Sequence, residues 1–378
     1  MRRTLAVLAV LFLASAGIAG AAEPPLPISQ GHPTLTALWD AYQHGEITEA
    51  QLYLYRLYFV KDATKLPAEF QFPEQPYKCG TSLLKEAFEH ADELPVNVRD
   101  EIKNYQIPRG DRQCTIETTH FCIHRLAGTQ AYAESIALYC EQSWEAYHVD
   151  RTWDAPPQCG THSKIDVYIE PLSGGILGST WTTTDGGGPE PWDRCSEFNV
   201  DDNIASWCTL RSTVCHEYMH VVQFGYLSGA SWFMENCAMI GEEQAYDYCN
   251  DYIGYLQSCI GRPYLKVNTH DGQYEYGNIL WPLYMWERFY EELLPEIWDI
   301  YQWDGNIWDS LDEGLAAVGY NVNSALLEYN KWLYYTRWRA NAQHYSEARS
   351  WLATRFPDQQ FSTYPTGDQH PRSNPDMR

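Results

Sequence analysis

Residues 212–224 read Ser-Thr-Val-Cys-His-Glu-Tyr-Met-His-Val-Val-Gln-Phe, and the pattern H-E-x-x-H inside them constrains this chain more than any other stretch. On a helix, His216 and His220 stand one turn apart on the same face, so that two imidazoles converge on one point. The stretch has its own reason to be helical. Val214, Tyr218, Val221 and Val222 form an apolar stripe at 3.6-residue spacing, Ser206 or Thr209 is available as N-cap, and Gly225 or Gly229 can end the helix. The convergence point is a candidate zinc site. Glu217, the next residue along, is close enough to a water activated there to take its proton without being a ligand.

A third ligand is expected from Ser231 to Glu243, a second helical stretch capped by Ser228 or Ser231 and carrying Glu235 in its first turns. A short, glycine-containing connection sets two helices side by side and lets Glu235 reach the same point. Two histidines, one glutamate and a water make a four-coordinate site with one open position. Glu242, seven residues after Glu235, shares its helix face and is placed to orient a ligand histidine through its second nitrogen; a surface carboxylate is the competing reading.

His-Glu-Tyr-Met-His followed by Trp-Phe-Met-Glu-Asn-Cys-Ala resembles the gluzincin metallopeptidases, in particular aminopeptidase N-type enzymes whose second element reads W-L-N-E-G-F-A. The resemblance implies Glu235 as third zinc ligand. Two departures are visible: Asn236 stands where those enzymes have glycine, and the gap from His220 to Glu235 is shorter than theirs. Gly45–Thr48 through Leu66-Pro67, His120–His124, Lys164–Tyr168 and Tyr276-Gly277 further resemble secreted metallopeptidase-like proteins of myxobacterial type. A peptidase of this kind needs a hydroxyl donor to the oxyanion. The aminopeptidase pattern Y-E-K-G implies Tyr274, whereas the Y-G pattern of the secreted proteins implies Tyr276; both stay open.

Residues 1–22 read as a secretory signal: Arg2 and Arg3, an apolar run from Leu5 to Leu13, then Ala19-Gly20-Ala21 as cleavage site. No cysteine follows to accept a lipid, and no later stretch is long and apolar enough to span a membrane. The formal net charge of −24 becomes more negative by two once those arginines leave. Such acidity argues against nucleic acid and anionic membranes as partners. Eleven cysteines in an exported chain imply disulfides, with at least one thiol left over; Cys249 with Cys259 is a plausible local pair.

Residues 23–113 read as a helical layer, with helices at Leu35–Tyr42, Glu49–Tyr58, Ser82–His90 and Asn97–Tyr105. Nothing in this region looks like a metal-blocking ligand, which favours a structural layer over a pro-segment. From Cys114 the pattern alternates: strands at Thr118–Arg125, Lys164–Glu170 and Gly174–Thr184, and a helix at Gln130–Tyr147. Gly174–Thr184 is the candidate exposed edge on which a substrate could add as a strand. His120 and His124 fall on a strand, about 13 Å apart, and cannot share a metal. Asp201 and Asp202 read as a solvated turn and Gly186–Gly188 as a loop. Further helices at Asn278–Tyr290, Pro295–Tyr301, Ile307–Val318 and within Ser324–Arg355 complete a helical lobe, with Trp281, Trp286, Trp298 and Trp303 as packing residues. Residues 356–378, proline-rich and polar, read as a disordered tail.

The expectation is an α+β catalytic domain over 114–355: a small sheet, a zinc-binding helix pair with His216, His220 and Glu235, and an α-helical lobe. The expected activity is hydrolysis of peptide bonds in a peptide or protein substrate outside the cytoplasm, with Zn2+ as cofactor and Glu217 as general base. The alternative is a noncatalytic secreted binding protein on the same fold. Oligomeric state, cleavage preference and disulfide connectivity are not legible.

Overall fold

The structure is a computed structural model that describes residues 24–107, 113–159, 163–183 and 194–351. The expected signal segment, the Gly186–Gly188 loop and the expected tail lie outside the described residues. The chain is a mixed α+β protein. Its elements, in order, are α1 (Pro33–Gln43), α2 (Glu49–Lys61), β1 (Tyr77–Cys79), α3 (Thr81–His90), α4 (Val96–Asn104), β2 (Ile116–Glu117), β3 (Phe121–Arg125), α5 (Gln130–Trp144), β4 (Ile165–Glu170), β5 (Ile176–Thr182) and β6 (Ser196–Asp201). They are followed by α6 (Trp207–Tyr226), α7 (Ser231–Tyr246), α8 (Leu256–Ile260), α9 (Tyr274–Gly277), α10 (Leu280–Arg288), α11 (Leu293–Asp304), α12 (Ile307–Ala316) and α13 (Val322–Trp332).

The strands form one mixed sheet in the order β1-β5-β6-β4-β3-β2. β1 runs parallel to β5, with Tyr77 opposite Ile176 and Cys79 opposite Gly178; β5 and β6 are antiparallel, and β6, β4 and β3 parallel. Alternation along β4 splits the interior in two. Val167 and Ile169 join Phe121, Phe198 and Val200 in a core shared with Val214, Tyr218, Val221 and Val222 of α6 and with the C-terminal helices. Tyr168, together with Trp181, turns to the other face, where Leu38, Leu52, Leu57, Leu84 and Ile102 of the N-terminal helices build a second core.

Several expectations need correction. Gly174–Thr184 is not an exposed edge: β5 is flanked by β6 on one side and by β1 on the other. The pairing partner is a three-residue strand, too short for any periodicity to announce it. Cys249 pairs with Cys208 rather than Cys259, and Cys114–Cys122 and Cys159–Cys195 are the other disulfides. Cys79, Cys140, Cys215, Cys237 and Cys259 are buried outside them. Ser206 does cap α6, accepting from the Thr209 amide, but the helix runs past Gly225 to Tyr226 and ends on extended Leu227. Neither serine caps α7, whose N-cap is Ala230. Trp281 and Trp298 are fully buried as expected, whereas Trp303 is exposed. Among the described residues no helix is long and apolar enough to cross a membrane.

Candidate metal centre

α6 and α7 lie against each other across the short connection 227–230, and their facing sides bring His216, His220 and Glu235 together. His216 Nε2 is 3.1 Å from Glu235 Oε2 and 3.2 Å from His220 Nε2, and His220 Nε2 is 3.4 Å from the same carboxylate oxygen. Zinc bonds of 2.0–2.1 Å to nitrogen or oxygen, spread tetrahedrally, separate adjacent ligand atoms by about 3.3 Å. The triangle therefore has the size of one face of a zinc tetrahedron.

The hydrogen bonds fix which atoms of the triangle carry protons. His216 Nδ1 lies 2.8 Å from Glu242 Oε1, and a carboxylate only accepts, so Nδ1 is the protonated nitrogen. Gln223 donates its amide to the Met234 carbonyl, which turns its oxygen toward His220 Nδ1 at 2.8 Å and makes that nitrogen a donor too. Both neutral imidazoles then aim bare Nε2 lone pairs at each other and at an anionic oxygen. Such an arrangement is repulsive unless a cation sits among them. Without one, a proton has to serve: burial opposes charging His216, but the bonds to Glu235 and Glu242 outweigh it and push its pKa up to about 9. Burial likewise works against the Glu235 carboxylate, and the two histidines overcome it, holding Glu235 well below the usual carboxylate range.

Glu217 stands apart from the triangle. Its Oε2 accepts from the Thr180 hydroxyl at 2.7 Å and the Thr81 hydroxyl at 3.0 Å, while Oε1 is buried without a hydrogen-bond partner. Gly178 of β5 makes room for it, since a Cβ there would meet Glu217 Cγ at 2.6 Å. Of the two tyrosines, Tyr276 is the one brought to the site: its ring centroid is 6.2 Å from that of His216, and Glu235 is among the charges that raise its hydroxyl pKa after burial itself. Tyr274 instead faces Arg262. Asn236, the departure from the aminopeptidase pattern, donates to the Glu275 carbonyl and accepts from Asn278, tying α7 to α9.

The N-terminal layer supplies what the sequence did not reveal. Lys78 Nζ lies 2.9 Å from Glu242, and Ser82 donates to Glu235 at 2.6 Å. Cys79 Sγ lies within 4.8 Å of the ligand atoms of His216, His220 and Glu235, all four residues buried. Residues 23–113 therefore bring a buried thiol beside the candidate ligand atoms, where no such side chain was expected from the sequence. Gln223 had a readable signal, three residues after His220 on one helix face; Cys79, brought in by sheet pairing from far along the chain, had none. His120 lies just before β3 rather than on it and stacks on Trp144, while His124, on β3, pairs with Asp166. Asp201 ends β6 rather than lying in a turn, and it accepts from the Leu172 and Asn203 amides; the turn begins at Asp202. No family model matches the chain, and no curated protein matches it significantly.

Proposed function

We propose that the chain is a secreted zinc-dependent peptidase of gluzincin-like construction, acting on a peptide or protein substrate. The observation that carries this reading is the triangle of His216 Nε2, His220 Nε2 and Glu235 Oε2, with edges of 3.1 to 3.4 Å and its other imidazole nitrogens already committed. The chemistry supplied by a bound zinc is Lewis acidity toward a peptide carbonyl and an attacking water. Glu217 takes the proton of that water on the unpaired Oε1 and hands it to the leaving amine, while Thr180 keeps Oε2 pinned. Glu242 and Gln223 hold the ligand imidazoles in one tautomer. Tyr276 is the better placed donor to the oxyanion. Disulfides at Cys114–Cys122, Cys159–Cys195 and Cys208–Cys249 support export.

One observation favours a second reading, a noncatalytic secreted protein with a structural metal: the site is sealed, and Cys79 stands where the open position was expected. Metal content and hydrolysis of an unfolded protein substrate decide between them. The peptidase reading expects about one zinc per chain and turnover that is lost to a chelator and restored by zinc. Stoichiometric zinc with no turnover in any form, Cys79 variants included, selects the second reading; a chain that takes up no zinc sinks both.

A further inference from the structure

The residues Lys78-Cys79-Gly80-Thr81-Ser82 touch the site at every step. Lys78 holds Glu242, the Gly80 amide donates to the Gly178 carbonyl, Thr81 holds Glu217, and Ser82 holds Glu235. Between them Cys79, 1% exposed, puts its sulfur among the ligand atoms and accepts a hydrogen bond from the Thr81 amide at 3.3 Å. Amide donors to sulfur are what a metal-bound thiolate calls for. Cys79 is the last residue of β1, and β1 occupies the edge of β5 that an extended peptide would otherwise pair with. Cys79 thus stands both among the candidate ligand atoms and at the end of the strand Tyr77–Cys79 that takes up the edge of β5.

We propose that Cys79 is the fourth metal ligand and that β1 is a built-in occupant of the substrate edge, so that the chain is self-occluded until residues 77–82 withdraw. The inference rests on the metal centre described above. When the metal enters, the thiol proton leaves to solvent and the sulfur–metal bond takes the place of a metal–water bond. Withdrawal reverses the exchange and frees Glu217 from Thr81 at the same time, leaving Thr180 to hold it.

Cobalt(II) substitution tests this in the full chain. The wild type should bind about one cobalt with an intense near-ultraviolet sulfur-to-cobalt absorption, because the ligand set would be one thiolate, two imidazoles and one carboxylate. Cys79→Ser, with Cys79→Ala as a second variant should the first fold poorly, should keep the cobalt and lose that absorption. Reloaded with zinc, either variant should hydrolyse an unfolded protein at least about tenfold faster than the wild type, the gain expected if the thiolate holds the open form below a tenth of the population. A wild-type chain that binds no cobalt overturns the metal centre itself. Bound cobalt lacking the sulfur absorption overturns Cys79 as a ligand and leaves the centre standing. A sulfur absorption without any gain in hydrolysis overturns the latch.

Discussion

Among the described residues, two buried clusters have the residue types of a metal site: Cys79, His216, His220 and Glu235 between the N-terminal layer and the helix pair, and Cys122, His124 and Asp166 on the sheet. They differ in what is left over once ordinary bonding is counted. On the sheet, the Cys122 sulfur is committed to Cys114, and His124 Nε2 lies 2.6 Å from Asp166 while its ring stacks on Tyr168. Nothing there needs a cation. At the helix pair, Glu242 and Gln223 accept hydrogen bonds from the Nδ1–H of both imidazoles, and the remaining lone pairs face one another. Proximity of ligand types is common to both clusters; unspent lone pairs make the helix pair the stronger candidate.

The contrast is broken most sharply at the general base. Glu217→Gln keeps the shape and the hydroxyl partners but cannot accept a proton, so turnover should fall by about 10²–10⁴-fold with zinc retained. Glu235→Gln should do the opposite, losing zinc and making activity depend on added metal. Steady-state rates beside metal analysis of both variants separate these roles; zinc lost from the first and kept by the second would reverse them.

Metal removal should act next most strongly, and on stability. With free zinc 100- to 1,000-fold above its dissociation constant, loading contributes about 3–4 kcal/mol. Thermal unfolding with and without a chelator should show that difference in the wild type, and His124→Ala should show it undiminished with unchanged zinc content. If His124→Ala released zinc, the two clusters would have been told apart wrongly.

A third histidine sharpens the same point through pH. His148 donates from Nδ1 to the Trp153 carbonyl and accepts from the Tyr218 hydroxyl, and burial lowers its pKa from 6.5 to about 4. Because the folded state holds it neutral, its contribution is complete above pH 6.5 and drains away as pH falls toward 4, up to about 3 kcal/mol in all. Urea unfolding between pH 7 and 4 should be flatter in His148→Gln than in the wild type, and equal slopes would remove His148 from the acid response.

A pH effect of the opposite sign concerns Glu243, whose carboxyl burial and the neighbouring Glu242 charge push up to about 9. Its raised pKa means the folded state binds a proton that the unfolded state releases above pH 4.5, so rising pH costs stability at this position. Glu243→Gln should raise the melting temperature at pH 8 and not at pH 4, with zinc content unchanged. A drop in bound zinc would transfer Glu243 to the ligand set.

What could be read from the sequence was what is local. His216, Glu217 and His220, the Ser206 cap and the stripe through Val221 all sit within one helix, and Glu235 and Glu242 are seven residues apart on the next. Periodicity and spacing carry such information directly. What was missed lies in pairings across the chain: β1 beside β5, β6 between β5 and β4, and Cys208 with Cys249. Three consecutive residues of β1 are all buried, so they show no alternation, and the reading of β5 as an open edge failed for want of its partner.

The Cys208–Cys249 bond joins the first turn of α6 to the residues just past α7, across a separation of 41 residues, while the connection 227–230 joins the other ends. The two ligand-bearing helices are therefore a ring rather than a hairpin. Closing a ring of that size removes about 4 kcal/mol of freedom from the unfolded chain in the loop-entropy account. For a metal bound there the consequence would be preorganisation: little of its binding energy would go into gathering side chains that already stand 3.1 to 3.4 Å apart. A reducing surrounding would loosen the grip of a metal that touches neither of the bonded sulfurs.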